Sequence, residues 1–215
     1  MSTRTRIKIC GVSRPDDIAA AVEAGADAVG FVFHPGSPRY LTPERAAFLA
    51  RALPPYVTPV GLFVNAAPQV IAAVAAAIPN LVLQFHGDET ATECAAAGRP
   101  FLKAARMAPG FDLLDFARRF SEAQGLLLDT HVEAYGGSGK VFDWSLVPRA
   151  VPHRLVLSGG LHAANVGSGI LEIRPWAVDV SSGVESSRGV KDAAAIRAFC
   201  DAVRDADSRI DASIS

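Results

Sequence analysis

The sequence predicts a single (β/α)8 TIM barrel that occupies residues 1–204. Eight short apolar runs, rich in branched residues, alternate along the chain with alanine-rich amphipathic segments, and this alternation favours a barrel of parallel strands. No antiparallel hairpin is indicated between the runs. The chain has 215 residues, of which 50% are hydrophobic, enough for one sizeable core without a linker to a second domain. A doubly wound sheet is the alternative fold, and the polar residues 205–215 are expected to fray.

The predicted strands share a short length and a content of branched apolar residues. They cover residues 6–10, 27–33, 58–64, 81–85, 101–105, 125–129, 154–158 and 176–180. Several of the clearest helices have proline at or near their first position, where its missing N–H costs little. These helices cover residues 15–24, 43–53, 68–78, 89–97, 111–123 and 191–203. The helices after the sixth and seventh strands are only weakly indicated.

Composition excludes several classes of function. The net charge is −1 and 20% of residues are charged, as in an ordinary soluble protein, and no basic surplus indicates a nucleic-acid partner. No run approaches the roughly eighteen apolar residues of a membrane span, and the start has no apolar signal region. Three cysteines, an odd number at no metal-ligand spacing, suit free thiols in a reducing compartment. We therefore expect a cytoplasmic protein without a membrane partner.

The alternation of faces along a strand turns several polar side chains into the barrel. In the first strand Lys8 and Cys10 face inward, in the sixth Asp129, and in the eighth Asp179. Burying these groups costs several kcal/mol unless they are paired or functional. Because the first and eighth strands become neighbours when the barrel closes, we predict that Lys8 pairs with Asp179 and that its ammonium favours the thiolate of Cys10.

A glycine-rich segment, residues 136–140, follows the sixth strand and its terminal Asp129. It is not a nucleotide P-loop, which requires glycine five positions before the Gly-Lys pair and Ser or Thr after it. Those positions hold Ala134 and Val141. Asp129 itself lies at the carboxyl end of its strand, where parallel barrels carry their chemistry.

Two other loops predict a phosphate site. Gly159 and Gly160 follow the seventh strand, and Ser181, Ser182 and Gly183 follow the eighth. These are the loops in which barrels commonly hold a phosphate on backbone N–H groups and a short helix N-terminus. Either loop alone would be read as a tight turn, but their joint occurrence favours phosphate binding.

The histidines indicate no metal site, because none pairs with a carboxylate at metal-ligand spacing. His86 follows an apolar strand, and we expect it to be a hydrogen-bonded structural residue rather than a catalyst. His34, His131, His153 and His162 lie in loops or at segment starts without an evident partner.

A series of motifs runs in order from the first strand to the last. The motifs are Lys8-Ile9-Cys10-Gly11, Gly25-Ala26-Asp27-Ala28, Gly30-Phe31-Val32-Phe33, Ser37-Pro38-Arg39-Tyr40, Gly61-Leu62-Phe63-Val64-Asn65, Gln84-Phe85-His86-Gly87-Asp88-Glu89, Gly139-Lys140-Val141-Phe142-Asp143-Trp144, Ser158-Gly159-Gly160-Leu161 and Asp179-Val180-Ser181-Ser182-Gly183-Val184-Glu185. Together they resemble the phosphoribosylanthranilate isomerase family of tryptophan biosynthesis. Two positions depart from the family pattern, Phe85 where leucine is more frequent and Ser158 where alanine is frequent, and both are scaffold changes.

The resemblance implies an Amadori rearrangement of a small phosphorylated sugar–anthranilate substrate, without a cofactor, by a monomer or homodimer. By position, Asp129 matches the general acid, Cys10 the general base and Arg39 the residue that binds the anthranilate carboxylate. Asp179 would face the sugar hydroxyls, and the two glycine-containing loops would hold the phosphate. A carboxyl group with a pKa of about 4 and a thiol with one of about 8.5 would both need tuning for work at neutral pH.

Two other classes of function remain open from the sequence. Another phosphate-binding barrel, an epimerase or a synthase, is one. An indole-forming synthase would call for a lysine acid and a glutamate at strand ends, where this chain has Cys10 and Asp129. The other is a non-catalytic binding barrel, which would have no reason to keep both of those residues inward.

Overall fold

The computed structural model describes residues 4–130 and 141–212. Its eight main strands are parallel and close into a barrel in chain order, each pairing with the next and β8 pairing with β1. The predicted (β/α)8 barrel is therefore confirmed, and the doubly wound alternative is excluded. The strands are β1 Arg6–Cys10, β2 Ala28–Val32, β3 Thr58–Phe63, β4 Val82–Phe85, β5 Phe101–Met107, β6 Gly125–Thr130, β7 Leu155–Leu157 and β8 Ala177–Val180.

The helices pack around the barrel, and proline occupies the first turn of α1, α2 and α3. Among the described residues between β6 and β7, the helical content is the short 3-10 helix Trp144–Leu146. No helix in the described part of the chain is long and apolar enough to cross a membrane. The α-helices are α1 Pro15–Glu23, α2 Pro43–Ala50, α3 Pro68–Ala77, α4 Ala91–Ala96, α5 Leu113–Arg119, α6 Val166–Ile173 and α7 Ala193–Ala212.

The strand faces follow the predicted alternation. Inside the barrel a small apolar cluster contains Leu127 and Ala177, the inward positions that precede Asp129 and Asp179 on their strands. The residues that alternate with them face the helices and belong to the main core. These are Ile7 and Ile9 on β1, Leu126 and Leu128 on β6, and Val178 and Val180 on β8.

The last helix corrects one expectation. Residues 205–212 do not fray as a polar tail but continue α7 to Ala212. Ala206 is buried, and the carboxylate of Asp207 accepts hydrogen bonds from the backbone N–H and the hydroxyl of Thr5, at 2.8 and 2.7 Å. Although this part of the helix is mostly polar, one side of it packs against the start of the barrel.

An antiparallel hairpin after β8 was not predicted. It pairs β9, Glu185–Ser187, with β10, Val190–Lys191, and Gly189 has a positive φ of 83° at its turn. Strands of three and two residues are too short to display a period in the sequence. Lys191 therefore lies in the hairpin rather than at the start of the last helix.

Candidate active site

Cys10 ends β1 and is buried at the inward position predicted for it. The facing residue on β2 is Gly30, where a Cβ would lie 2.7 Å from Cys10 Sγ and 3.2 Å from Lys8 Nζ. A side chain at this position would displace both groups. Lys8 Nζ lies 2.8 Å from Asp179 Oδ1, and both side chains are nearly inaccessible to solvent. The predicted ion pair between β1 and β8 is confirmed.

The ammonium groups around Cys10 lower the pKa of its thiol, but by less than burial raises it. Burial raises the pKa of the Cys10 thiol above its ordinary value of 9.0, while the ammonium groups of Lys8 and Lys191 lower it and Asp179 raises it. Burial also opposes the charge of Lys8, but Asp179 and Cys10 outweigh it and raise the lysine pKa. Lys8 therefore favours the thiolate as predicted, yet the resting thiol holds its proton at neutral pH.

Asp129, at the end of β6, is oriented by two donors. Its Oδ1 accepts a hydrogen bond from the backbone N–H of Thr130 at 2.8 Å, and its Oδ2 lies 2.9 Å from His86 Nε2. On the other side of the imidazole, Gln84 Nε2 lies 3.2 Å from Nδ1. With the Gln84 amide in this orientation its nitrogen donates to Nδ1, which leaves Nε2 to donate to Asp129.

His86 is therefore hydrogen-bonded, as the sequence suggested, but its partner belongs to the candidate site. Gln84 and His86 are two residues apart, at the end of β4 and just beyond it, and so lie on the same face. That spacing was the available signal in the sequence. An inward imidazole preceded by an inward amide at a barrel mouth is better placed to orient a neighbouring carboxylate than an isolated loop histidine would be.

Arg39 lies over the end of β1, where the β9–β10 hairpin holds it through Glu185. Its Nε and Nη2 donate to Glu185 Oε1 and Oε2 at 2.6 and 2.8 Å, a bidentate ion pair. A Cβ on Gly11 would overlap the Arg39 side-chain stem, so glycine after Cys10 provides the space in which the arginine lies. The sequence placed Arg39 on this face but did not predict Glu185 as its partner.

Glu185 binds Lys191 and the backbone of Gly189 as well as Arg39. Lys191 Nζ lies 2.8 Å from its Oε1, and the backbone N–H of Gly189 donates to Oε2 at 3.0 Å. Burial raises the pKa of Glu185, but the hydrogen bonds from Arg39 and Lys191 outweigh it and lower the pKa to about 2. For Lys191 burial dominates and its pKa falls, although Glu185 raises it. Lys191 also donates to the Ser181 carbonyl at 2.9 Å, which links the hairpin to the loop after β8.

The two candidate phosphate loops touch each other. Gly159 and Gly160 both have positive φ, 79° and 65°. A Cβ on Gly183 would overlap the carbonyl of Leu161, so these loops approach as closely as only glycine allows. Gly159 also lies beside Asp129, the candidate acid on β6, because a Cβ added to this glycine would lie 2.7 Å from Asp129 Oδ1.

Ser181 and Ser182 complete the loop after β8, and Ser182 begins a short 3-10 helix, Ser182–Val184. All five residues predicted to bind phosphate are therefore at the carboxyl ends of β7 and β8, where backbone N–H groups of adjoining loops can converge on an anion.

The glycine-rich segment and the other histidines considered in the sequence are not part of the site described above. The glycine-rich segment 136–140 and His131 lie outside the described residues. His153 Nε2 lies 3.2 Å from the Phe120 carbonyl, and His162 Nδ1 accepts from the backbone of Ala164. Within residues 4–130 and 141–212, no group of three or more His, Cys, Asp or Glu side chains could hold a metal ion.

A family model for N-(5'-phosphoribosyl)anthranilate isomerase matches residues 7–202. The chain belongs to this family. A relative of the same name from Methylibium petroleiphilum is 69% identical over 210 residues, covering 98% of this chain and 99% of the relative. One from Leptothrix cholodnii is 65% identical over 211 residues, covering 98% and 96%. The chain is therefore an isomerase of the N-(5'-phosphoribosyl)anthranilate isomerase family.

Solved structures of the family have the same fold. Phosphoribosyl anthranilate isomerase from Thermotoga maritima superposes with a TM-score of 0.85 at 44% identity, covering 94% of this chain and 99% of the other. An isomerase solved with reduced 1-(o-carboxyphenylamino)-1-deoxyribulose 5-phosphate gives 0.81 at 41% identity, with the same coverage. The Thermotoga maritima enzyme is also described as dimeric, in a structure of its engineered monomers that gives 0.81 at 40% identity over 94% of this chain and 99% of the other.

Proposed function

We propose that Asp129 is the acid and Cys10 the base of the reaction that this isomerase catalyses in tryptophan biosynthesis. That reaction is the Amadori rearrangement of N-(5-phosphoribosyl)anthranilate into 1-(2-carboxyphenylamino)-1-deoxy-D-ribulose 5-phosphate. The observation that carries these roles is the placement of an oriented carboxyl group and a thiol flanked by cations at the same barrel mouth. A candidate acid and a candidate base with separate partners match what the chemistry needs.

The first step opens the furanose ring. Asp129 gives a proton to the ring oxygen as the bond from C1 to that oxygen breaks and the anthranilate nitrogen lone pair forms an iminium. The hydrogen bonds from His86 and from the Thr130 backbone hold both carboxyl oxygens, so the carboxyl group does not have to find its orientation during the reaction.

The second step removes the proton from C2. The Cys10 thiolate takes it, the electron pair moves to form an enolamine, and the iminium is neutralised. The enolamine becomes the ketone when the Asp129 carboxylate takes the proton of the C2 hydroxyl and the Cys10 thiol gives its proton to C1, which restores both groups. Because burial raises the pKa of Cys10, the ammonium groups of Lys8 and Lys191 are what make the thiolate accessible.

The remaining groups bind the substrate. Arg39 takes the anthranilate carboxylate, Asp179 faces the sugar hydroxyls, and the phosphate lies on the loops that contain Gly159, Gly160 and Ser181 to Gly183. The positive charges of Arg39 and Lys191 near these loops favour a substrate that carries a carboxylate and a phosphate.

The test is the fluorescence decay of freshly prepared phosphoribosylanthranilate with purified protein. We expect Asp129→Asn and Cys10→Ala each to reduce turnover by about a hundredfold or more, as general acid–base groups do. Cys94→Ala is the matched control, because it removes a buried thiol in α4, away from the mouth. Near-native turnover of either site variant, with the control folded and active, would refute the role assigned to that residue.

We propose further that the protein works in the cytoplasm as a monomer or homodimer. The three cysteines Cys10, Cys94 and Cys200 are free and buried, as suits a reducing compartment. Light scattering behind a sizing column measures the oligomeric state, and a mass above that of two chains would contradict this assignment.

A further inference from the structure

We infer that Glu185 is a positioning residue for Arg39: it holds one edge of the guanidinium so that the other edge is presented to the substrate carboxylate. The inference rests on the proposed function, in which Arg39 binds that carboxylate. Glu185 acts through the arginine and has no assigned contact with the reacting atoms.

The geometry of the guanidinium group leads to this assignment. A guanidinium is planar and offers two edges for bidentate binding, one formed by Nε and Nη2 and the other by Nη1 and Nη2. Glu185 occupies the first edge through both of its oxygens. Because the group is rigid, fixing the first edge fixes the direction of the second. Nη2 uses one N–H bond for Glu185, and the N–H bonds of Nη1 and Nη2 that point along the second edge have no acceptor in the described parts of the chain.

Glu185 is suited to this task because it is held in place itself. Lys191 and the backbone N–H of Gly189 bind its oxygens on the side of the hairpin. The side chains of Glu185 and Lys191 are only 4% and 1% exposed, and that of Arg39 is 11% exposed. Water therefore weakens these ion pairs little, and the arginine cannot easily adopt another rotamer.

The charge balance of the cluster favours an anionic ligand. Arg39 and Lys191 are cations and Glu185 is the anion that they share. The cluster thus has an unmatched positive charge beside the barrel mouth, and one carboxylate supplies its complement.

The backbone around Arg39 is fixed from both sides. Gly11 accommodates its stem at the end of β1, and the turn of the hairpin lies against Pro38, where a Cβ on Gly189 would be 3.1 Å from the Pro38 carbonyl oxygen. The Arg39 N–H donates to Ser37 Oγ at 3.1 Å. Preorganisation of this kind improves affinity by reducing the side-chain entropy lost on binding.

The experiment measures affinity by calorimetry for two ligands. One is reduced 1-(o-carboxyphenylamino)-1-deoxyribulose 5-phosphate, and the other is the same compound without its carboxyl group. We expect Glu185→Gln to weaken the first ligand about tenfold, the scale of one charge-assisted contact or of lost preorganisation, and to leave the second nearly unchanged. In the assay KM should rise more than kcat falls.

Four further variants complete the design. Arg39→Ala should abolish the preference for the carboxylated ligand, and adding Glu185→Gln to Arg39→Ala should change nothing more. Glu172→Gln, an exposed glutamate on α6, is the matched control. If Glu185→Gln does not fold, Glu185→Asp keeps the charge but is one methylene shorter, so its carboxylate does not reach Nε and Nη2 together, and it should give the same selective loss.

The outcomes separate the two hypotheses. Equal losses for both ligands in Glu185→Gln, wild-type affinity, or an additive effect in the double variant would each overturn the positioning role. If Arg39→Ala itself leaves the affinity for the carboxylated ligand unchanged, the role proposed for Arg39 fails instead. A selective loss that disappears in the Arg39→Ala background supports both.

Discussion

Among the buried ion pairs of the described residues, Lys8–Asp179 and Lys103–Glu89 match in geometry but differ in position. Lys8–Asp179 and Lys103–Glu89 are both 2.8 Å long, and all four side chains are at most 7% exposed. The first pair points into the barrel mouth. Lys103 points outward on β5, since its neighbour Ala104 belongs to the inner cluster, and its Nζ lies 5.4 Å from the ring of Phe120.

The third partner of each pair explains why both exist. Lys8 lies beside Cys10, so its charge acts on a thiol. Glu89 accepts hydrogen bonds from the backbone N–H groups of Asn65 at 2.8 Å and Gly87 at 3.0 Å, and Lys103 also donates to the Gly87 carbonyl. The inner pair thus affects chemistry, while the outer pair fastens the loops after β3 and β4. Distance and burial alone would not distinguish them.

The largest expected effect is on stability, and it is the same for both pairs. Lys8→Met and Lys103→Met each leave a buried carboxylate unpaired, which costs about 3–5 kcal/mol, less where water enters. Denaturant midpoints measure the loss. Arg118→Met is the control, because its pair with Asp115 is exposed and is worth at most about 1 kcal/mol. Midpoints equal to that of the control would show that neither lysine is needed by its carboxylate.

Removing both partners of a pair should have different effects on stability for the inner and the outer pair. In the described residues Asp179 has Lys8 as its hydrogen-bond donor, so Lys8→Met/Asp179→Leu should regain much of the stability lost in Lys8→Met. Lys103→Met/Glu89→Leu should not, because the N–H groups of Asn65 and Gly87 lose their acceptor, at about 1–3 kcal/mol each. Equal recovery in both double variants, judged from the same midpoints, would contradict the fastening role of Glu89.

The smallest expected effect is on the Cys10 titration, and it belongs to the inner pair alone. The Lys8 ammonium stabilises the thiolate, so Lys8→Met should raise the pKa of Cys10 further and move the limb on which kcat/KM rises with pH to higher pH. Lys103→Met should leave it unchanged. The measurement is thiolate absorbance in a Cys94→Ala/Cys200→Ala background, since burial raises the pKa of those thiols to about 11 and they would overlap. Identical titrations in both lysine variants would refute the effect.

The sequence predicted features that are encoded locally. Strand bounds follow from the composition of each run and differ from the structure by at most two residues, and the inward direction of Cys10 and Asp129 follows from alternation alone. Two contacts that build the site were missed. The pairing of Arg39 with Glu185 joins loops 146 residues apart, and that of His86 with Asp129 spans 43. Such pairings depend on how loops meet above the closed barrel, which no local pattern records.

The pairing of Lys8 with Asp179 also bears on how the barrel assembles. It lies on the seam between β1 and β8, where residues 171 apart in sequence meet. Loop-closure entropy places contacts of this separation among the last to form. A slip of one residue in register would turn either charge toward the apolar helix side, so the pair selects the correct closure. A contact made after the transition state slows unfolding without accelerating folding, so we expect Lys8→Met to accelerate unfolding more than it slows folding and thereby to shorten the time for which the closed barrel persists.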